Sequence, residues 1–169
     1  VTPDDRFNIT RTFAAPRELV FRAWTQPEHL AQWFGPVGFR MLRTEMDLRP
    51  GGAFLYGMQA PDGREMWGRW VFREIDPPEY LEFVQSFSDA RGGVTRHPLA
   101  PEWPLEVLSM MRLTEAPGGR TTLSLTGTPH NASARESEVF FAATRSMEGG
   151  WTGTFDAFEA YLARLQATA

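Results

Sequence analysis

The sequence predicts an α+β fold: a curved antiparallel β-sheet of about seven strands wrapped around a long C-terminal α-helix, with two short helices between strands 1 and 2. Three observations carry that expectation. Residues 133–165 repeat large apolar side chains at helical spacing. Six stretches between residues 39 and 127 alternate at the strand period and are mostly joined by short Pro- and Gly-rich turns. Strands so connected pair antiparallel, and only the C-terminal segment is long enough to cover their apolar face.

Taken in order, residues 6–13 alternate Phe7, Ile9, Arg11 and Phe13 against Arg6, Asn8, Thr10 and Thr12, a first strand. Ala15-Pro16 opens a short helix whose inner face is Leu19, Val20, Ala23 and Trp24. Thr25-Gln26-Pro27-Glu28 starts a second, with Leu30, Trp33 and Phe34 apolar and Gly35-Pro36 as its stop. In residues 39–48, Leu42, Thr44, Met46 and Leu48 share one face, opposite Arg43, Glu45 and Asp47. After the turn Arg49-Pro50-Gly51-Gly52 comes residues 53–59, with Phe54, Tyr56 and Met58 in step. Pro61-Asp62-Gly63 turns into residues 65–75, a long strand with Trp67, Trp70 and Phe72, in which Gly68 suggests a bulge or bend.

Asp76-Pro77-Pro78-Glu79 leads to residues 80–87, with Leu81, Phe83 and Phe87 on one face. Residues 88–104 then lose all periodicity. A connection of that length is often functional, and this one carries His97 and Trp103 as a candidate lid. Residues 105–115 place Val107, Ser109, Met111 and Leu113 together, and residues 120–127 return as the last strand. Ser133-Ala134-Arg135-Glu136 fits a capping box. The helix behind it is expected to run on as one piece to about residue 165, through Val139, Phe140, Ala143, Met147, Trp151, Phe155, Phe158, Leu162 and Leu165. Gly149-Gly150 predicts a bend in it.

Composition narrows the function. The 169 residues read as a single domain, 1–169, without repeat or linker. There is no cysteine, hence no disulfide, thiol nucleophile or thiolate metal site. A net charge of −4 with no basic run argues against nucleic acid. Neither a membrane span nor a signal-peptide pattern is visible, so a cytoplasmic place is expected. His29, His97 and His130 lack metal-ligand spacing, so no metal site is expected. No Gly-x-Ser-x-Gly elbow or phosphate-cradling loop occurs, and neither a catalytic residue nor a cofactor is assigned.

What stands out is six Trp, thirteen Phe and seven Met, side chains that fill cores and also line pockets for apolar ligands. A cavity between sheet and helix is expected, walled by Phe34, Met46, Tyr56, Trp70, Phe83, Phe87, Val107, Ser109, Met111, Met147, Trp151 and Phe155. Tyr56 or Ser109 would orient its occupant. Arg69, Arg73 and Arg112 are expected to face outward. A slip at Gly68 would turn Arg69 or Arg73 inward beside Glu65 or Glu74, which would make an acid–base site.

Several short motifs point to a family. They are Ala15-Pro16 before Val20-Phe21-Arg22-Ala23-Trp24, Trp33-Phe34-Gly35-Pro36, Asp47-Leu48-Arg49-Pro50-Gly51-Gly52, Pro61-Asp62-Gly63, Gly68 before Glu74-Ile75-Asp76-Pro77-Pro78, Trp103-Pro104, and Gly150-Trp151-Thr152 before Leu162. In this order the chain resembles the family of the activator of heat-shock protein 90 ATPase, in its bacterial stand-alone form, within the SRPBCC (START/Bet v-like) superfamily. The resemblance implies the helix-grip fold and a hydrophobic cavity, but no one reaction. It leaves three readings: a binder of a hydrophobic, aromatic or lipid-like small molecule; a polyketide cyclase or aromatase-like enzyme using the same cavity; and a module that activates a chaperone ATPase. Family habit also makes a homodimer an expectation.

Overall fold

The structure, a computed structural model, describes residues 6–168; residues 1–5 and 169, counted with the domain from sequence, lie outside the described residues. The strands are β1 (Phe7–Phe13), β2 (Arg40–Met46), β3 (Ala53–Gln59), β4 (Glu65–Asp76), β5 (Tyr80–Ser88), β6 (Val94–Thr95), β7 (Glu106–Ala116) and β8 (Arg120–His130). The helices are α1 (Arg17–Thr25) and α2 (Pro27–Trp33) between β1 and β2, and α3 (Ala134–Ala142) and α4 (Thr144–Ala167) at the end. One antiparallel sheet runs β1-β8-β7-β5-β4-β3-β2. The helix-grip fold expected from sequence is the fold observed.

Register fixes which side chains face the helix. Phe72, Phe83, Ser109, Gly127 and Phe7 form one row across five strands, and Ile75, Leu81, Met111, Leu125 and Ile9 the next. Most of these are buried, as a period of two with one covered face requires. Against them α4 lays Phe155 and Phe158, which meet Phe13 edge to face at 5.5 and 5.1 Å. Trp24 of α1 and Trp33 of α2 complete this cluster, Trp33 lying 4.4 Å from Phe158 between ring centres. Burying one Phe side chain of this kind stabilises the fold by about 1.5–3 kcal/mol. A hydrogen bond of 2.6 Å between His29 Nδ1 and the Tyr161 hydroxyl ties α2 to α4.

Three local expectations are corrected. The terminal helix is two helices, interrupted at Ala143, whose ψ of 4° leaves the helical range. No neighbouring atom lies within 4 Å of a Cβ built at Gly149 or Gly150, so neither marks a close approach, and α4 runs through both. The irregularity in β4 falls between Phe72 and Glu74 rather than at Gly68. Finally, β2 shifts register between Met41 and Arg43, which turns Met41 inward and leaves Leu42 37% exposed; Leu48, past the end of β2, is also exposed.

Candidate functional site

The main cavity opens where the sheet changes partner. β7 pairs with β5 only from Tyr80 to Gln85, and at Phe87 and Ser88 the two-residue β6 takes its place. The chain between β6 and β7 therefore leaves the sheet and arches over its inner face. The space beneath measures ≈ 520 Å³. Its floor is Tyr56, Gln85, Phe87 and Val107 of the sheet. Its roof is His97, Ala100, Trp103, Pro104 and Leu105 of the loop. Its side wall is Val139, Phe140 and Ala143 of the α3 segment with Ser146, Met147 and Trp151 of α4; Ser86 completes the lining.

Gly68 sets the position of Tyr56. The two are cross-strand partners, and a Cβ at position 68 would stand 2.2 Å from the Tyr56 hydroxyl. Only a glycine lets the tyrosine lie flat across β4 toward the cavity. Burial pushes the Tyr56 hydroxyl up to about 12, although the nearby Gln85 and Trp70 side chains pull the other way. Gln85 stands in direct register with Trp70 on one side and Val107 on the other. The Trp70 indole N–H is buried and has no acceptor in bonding geometry.

The roof is held in place. His97 packs on Phe87 with ring centres 4.7 Å apart, and Trp103 on Phe140 at 5.3 Å. Arg96 reaches Glu136 of α3 at 2.6 Å, and Arg135 reaches Glu102 at 3.0 Å. Glu136 also accepts from the Ser133 backbone N–H as part of the capping box, and these contacts hold its carboxyl down at about 2. His97 Nδ1 accepts from the Leu99 N–H at 3.0 Å, and burial lowers the imidazole's affinity for a proton.

The twelve residues proposed from sequence divide by position. Tyr56, Phe87, Val107, Met147 and Trp151 line the cavity. Trp70, Phe83, Met111 and Phe155 are packed into solid core, and Ser109 is buried in its sheet row. Phe34 and Met46 pack against the core from partly buried positions. Gln85 was missed; its signal was a polar residue at an inward strand position between Phe83 and Phe87. Arg69 bonds the Gly92 carbonyl, Arg73 pairs with Glu82, and Arg112 covers the Tyr80 ring. Since Gly68 keeps its register, no Arg–Glu pair turns inward there. No lining residue is Arg, Lys, Asp or Glu, and among the described residues no three His, Cys, Asp or Glu side chains gather as metal ligands.

A family model described as Activator of Hsp90 ATPase homolog 1-like protein matches residues 14–163. The chain belongs to that family. Solved structures with the same fold include a Mycobacterium smegmatis protein, 26% identical with a TM-score of 0.73, over 92% of this chain and 88% of that one. A Staphylococcus epidermidis protein is 25% identical with a TM-score of 0.75, over 95% and 90%. One from Nitrosomonas europaea is 23% identical with a TM-score of 0.74, over 99% of both chains. No curated protein matches. The fold of this Hsp90-activator-like family is one that commonly holds hydrophobic ligands. Among the described residues, no helix is long and apolar enough to cross a membrane.

Proposed function

We propose that this chain binds a hydrophobic small molecule, aromatic or lipid-like, in the cavity between the sheet, the 96–105 loop and the α3–α4 helices. The observation that carries the reading is the cavity itself: ≈ 520 Å³, walled largely by apolar and aromatic side chains, with a few polar groups on its floor and roof. That size and lining are those of small-molecule sites. Affinity comes from the apolar area the ligand buries, and orientation from Tyr56 and Gln85. We also infer a cytoplasmic location, in keeping with the family match. The cyclase-like alternative called for an inward Arg–Glu pair; with Arg69, Arg73 and Arg112 engaged elsewhere, binding is the reading the site supports.

Native mass spectrometry of protein purified from its own host tests this directly. The expected result is an added mass that vanishes on denaturation and returns when the extracted compound is mixed back. Displacement of an environment-sensitive apolar fluorophore by that compound should be lost when Val139→Trp fills the cavity. A protein that neither carries a compound nor takes up the fluorophore is not a binder.

A further inference from the structure

The polar groups fixed around the cavity share a direction. Trp70 carries an indole N–H, which can only donate, and it is buried beside the Tyr56 hydroxyl with no acceptor in bonding geometry. When the Tyr56 oxygen takes that hydrogen, its own O–H is left to donate. The Gln85 amide lowers the phenol in the same sense, as a donor to the same oxygen, so the Tyr56 O–H is free to donate into the cavity. The sheet thus presents the Tyr56 O–H as a donor. The roof does the same. His97 Nδ1 is occupied by the Leu99 N–H, so the ring proton sits on Nε2, the donating nitrogen. The Ser146 hydroxyl can take either role. No positive side chain accompanies these donors.

We propose that the cavity selects uncharged ligands whose polar atoms are hydrogen-bond acceptors, engaged by Tyr56 on the floor and by His97 on the roof. This rests on the cavity being the binding site. A carboxylate would accept the same hydrogen bonds, but it would leave water for a site with no counter-charge to offset its desolvation. The burial that keeps the Tyr56 phenol protonated acts on a ligand anion in the same sense. A purely apolar ligand fits the walls but leaves the donors without acceptors.

Three compounds of one shape separate these cases: acetylnaphthalene, its isopropenyl isostere in which a methylene replaces the carbonyl oxygen, and naphthoate, all substituted at the same ring position. Each is titrated near neutral pH against a bound apolar fluorophore. The ketone should bind at least tenfold more tightly than naphthoate. Tyr56→Phe should weaken the ketone about three- to tenfold more than it weakens the alkene. Naphthoate binding as tightly as the ketone overturns the proposal. So do equal losses for ketone and alkene in the Tyr56 variant. If neither neutral compound displaces the fluorophore, the binding function falls, and this inference with it.

Discussion

At position 68 a single hydrogen in place of a methyl decides where the Tyr56 ring lies. Gly68→Ala would drive a Cβ into that ring, and overpacking of this kind costs about 1–3 kcal/mol. Urea denaturation should show the loss, and binding of an apolar fluorophore should weaken with it, because the displaced phenol must move into the cavity. Strand glycines mark either a bulge or a close approach. From sequence Gly68 is as good a bulge as a close approach, because the partner strand that settles the matter sits ten residues or more away and its pairing is not written locally. His29 hides its role for the same reason. Its partner Tyr161 is on α4, at the far end of the chain. Tyr161→Phe should cost about 0.5–1.5 kcal/mol in a denaturation experiment without changing fluorophore binding, since Tyr161 lies outside the cavity lining.

Among the elements, the terminal helices separate what periodicity can say from what it cannot. The capping box at Ser133 and Glu136 is formed as the four-residue motif predicts. The break at Ala143 is silent, because the apolar stripe runs through it without a change of step. In α4 the exposed Gly149 and Gly150 have no packing role in the structure. Gly149→Ala and Gly150→Ala should therefore each stabilise the protein by about 1 kcal/mol, read from the thermal midpoint. A cost instead would mean that the backbone needs glycine there.

The Arg96–Glu136 contact that pins the roof has a pH dependence of definite sign. The Glu136 carboxyl is held at about 2, below its ordinary 4.5, first by the Ser133 backbone N–H and then by Arg96. Its contribution is present above the ordinary value and fades as pH falls toward the lower one. Proteolysis of the roof loop should stay slow down to about pH 4.5 and speed up below it. Glu136→Gln should remove that rise. His97 acts higher on the scale. Burial disfavours its charged form, so protonation, which also takes Nδ1 from the Leu99 N–H, weakens the closed roof as pH falls below the ordinary histidine range.

On the scale of the whole molecule, α4 has a solid end and a hollow end. Around Phe155 and Phe158 the sheet, α1 and α2 close completely. Around Met147 and Trp151 they do not. Phe158→Ala should cost about 3–5 kcal/mol, whereas Met147→Ala should cost clearly less and act mainly on ligand affinity; equal costs in calorimetry would mean the hollow end is filled. The alternation pattern identified the inner face, and most of the twelve candidate residues lie on it or against it. Where along that face the packing stops is a property of volumes contributed by five strands, two helices and an aperiodic loop. No local pattern encodes that sum, so Trp70 and Phe83 were as plausible for the wall as Phe87 and Val107.

Trp151 belongs to both ends. It stacks on the buried Trp24, with ring centres 6.1 Å apart and planes 15° from parallel, while remaining part of the cavity wall. Only an indole separates the cavity from the core, so a compound bound there would be thermodynamically linked to folding. Any compound that binds the native state alone raises the melting temperature as its concentration exceeds its dissociation constant. The protein is therefore its own assay. A collection of metabolites can be ranked by heating, with neither a label nor a prior guess at the ligand.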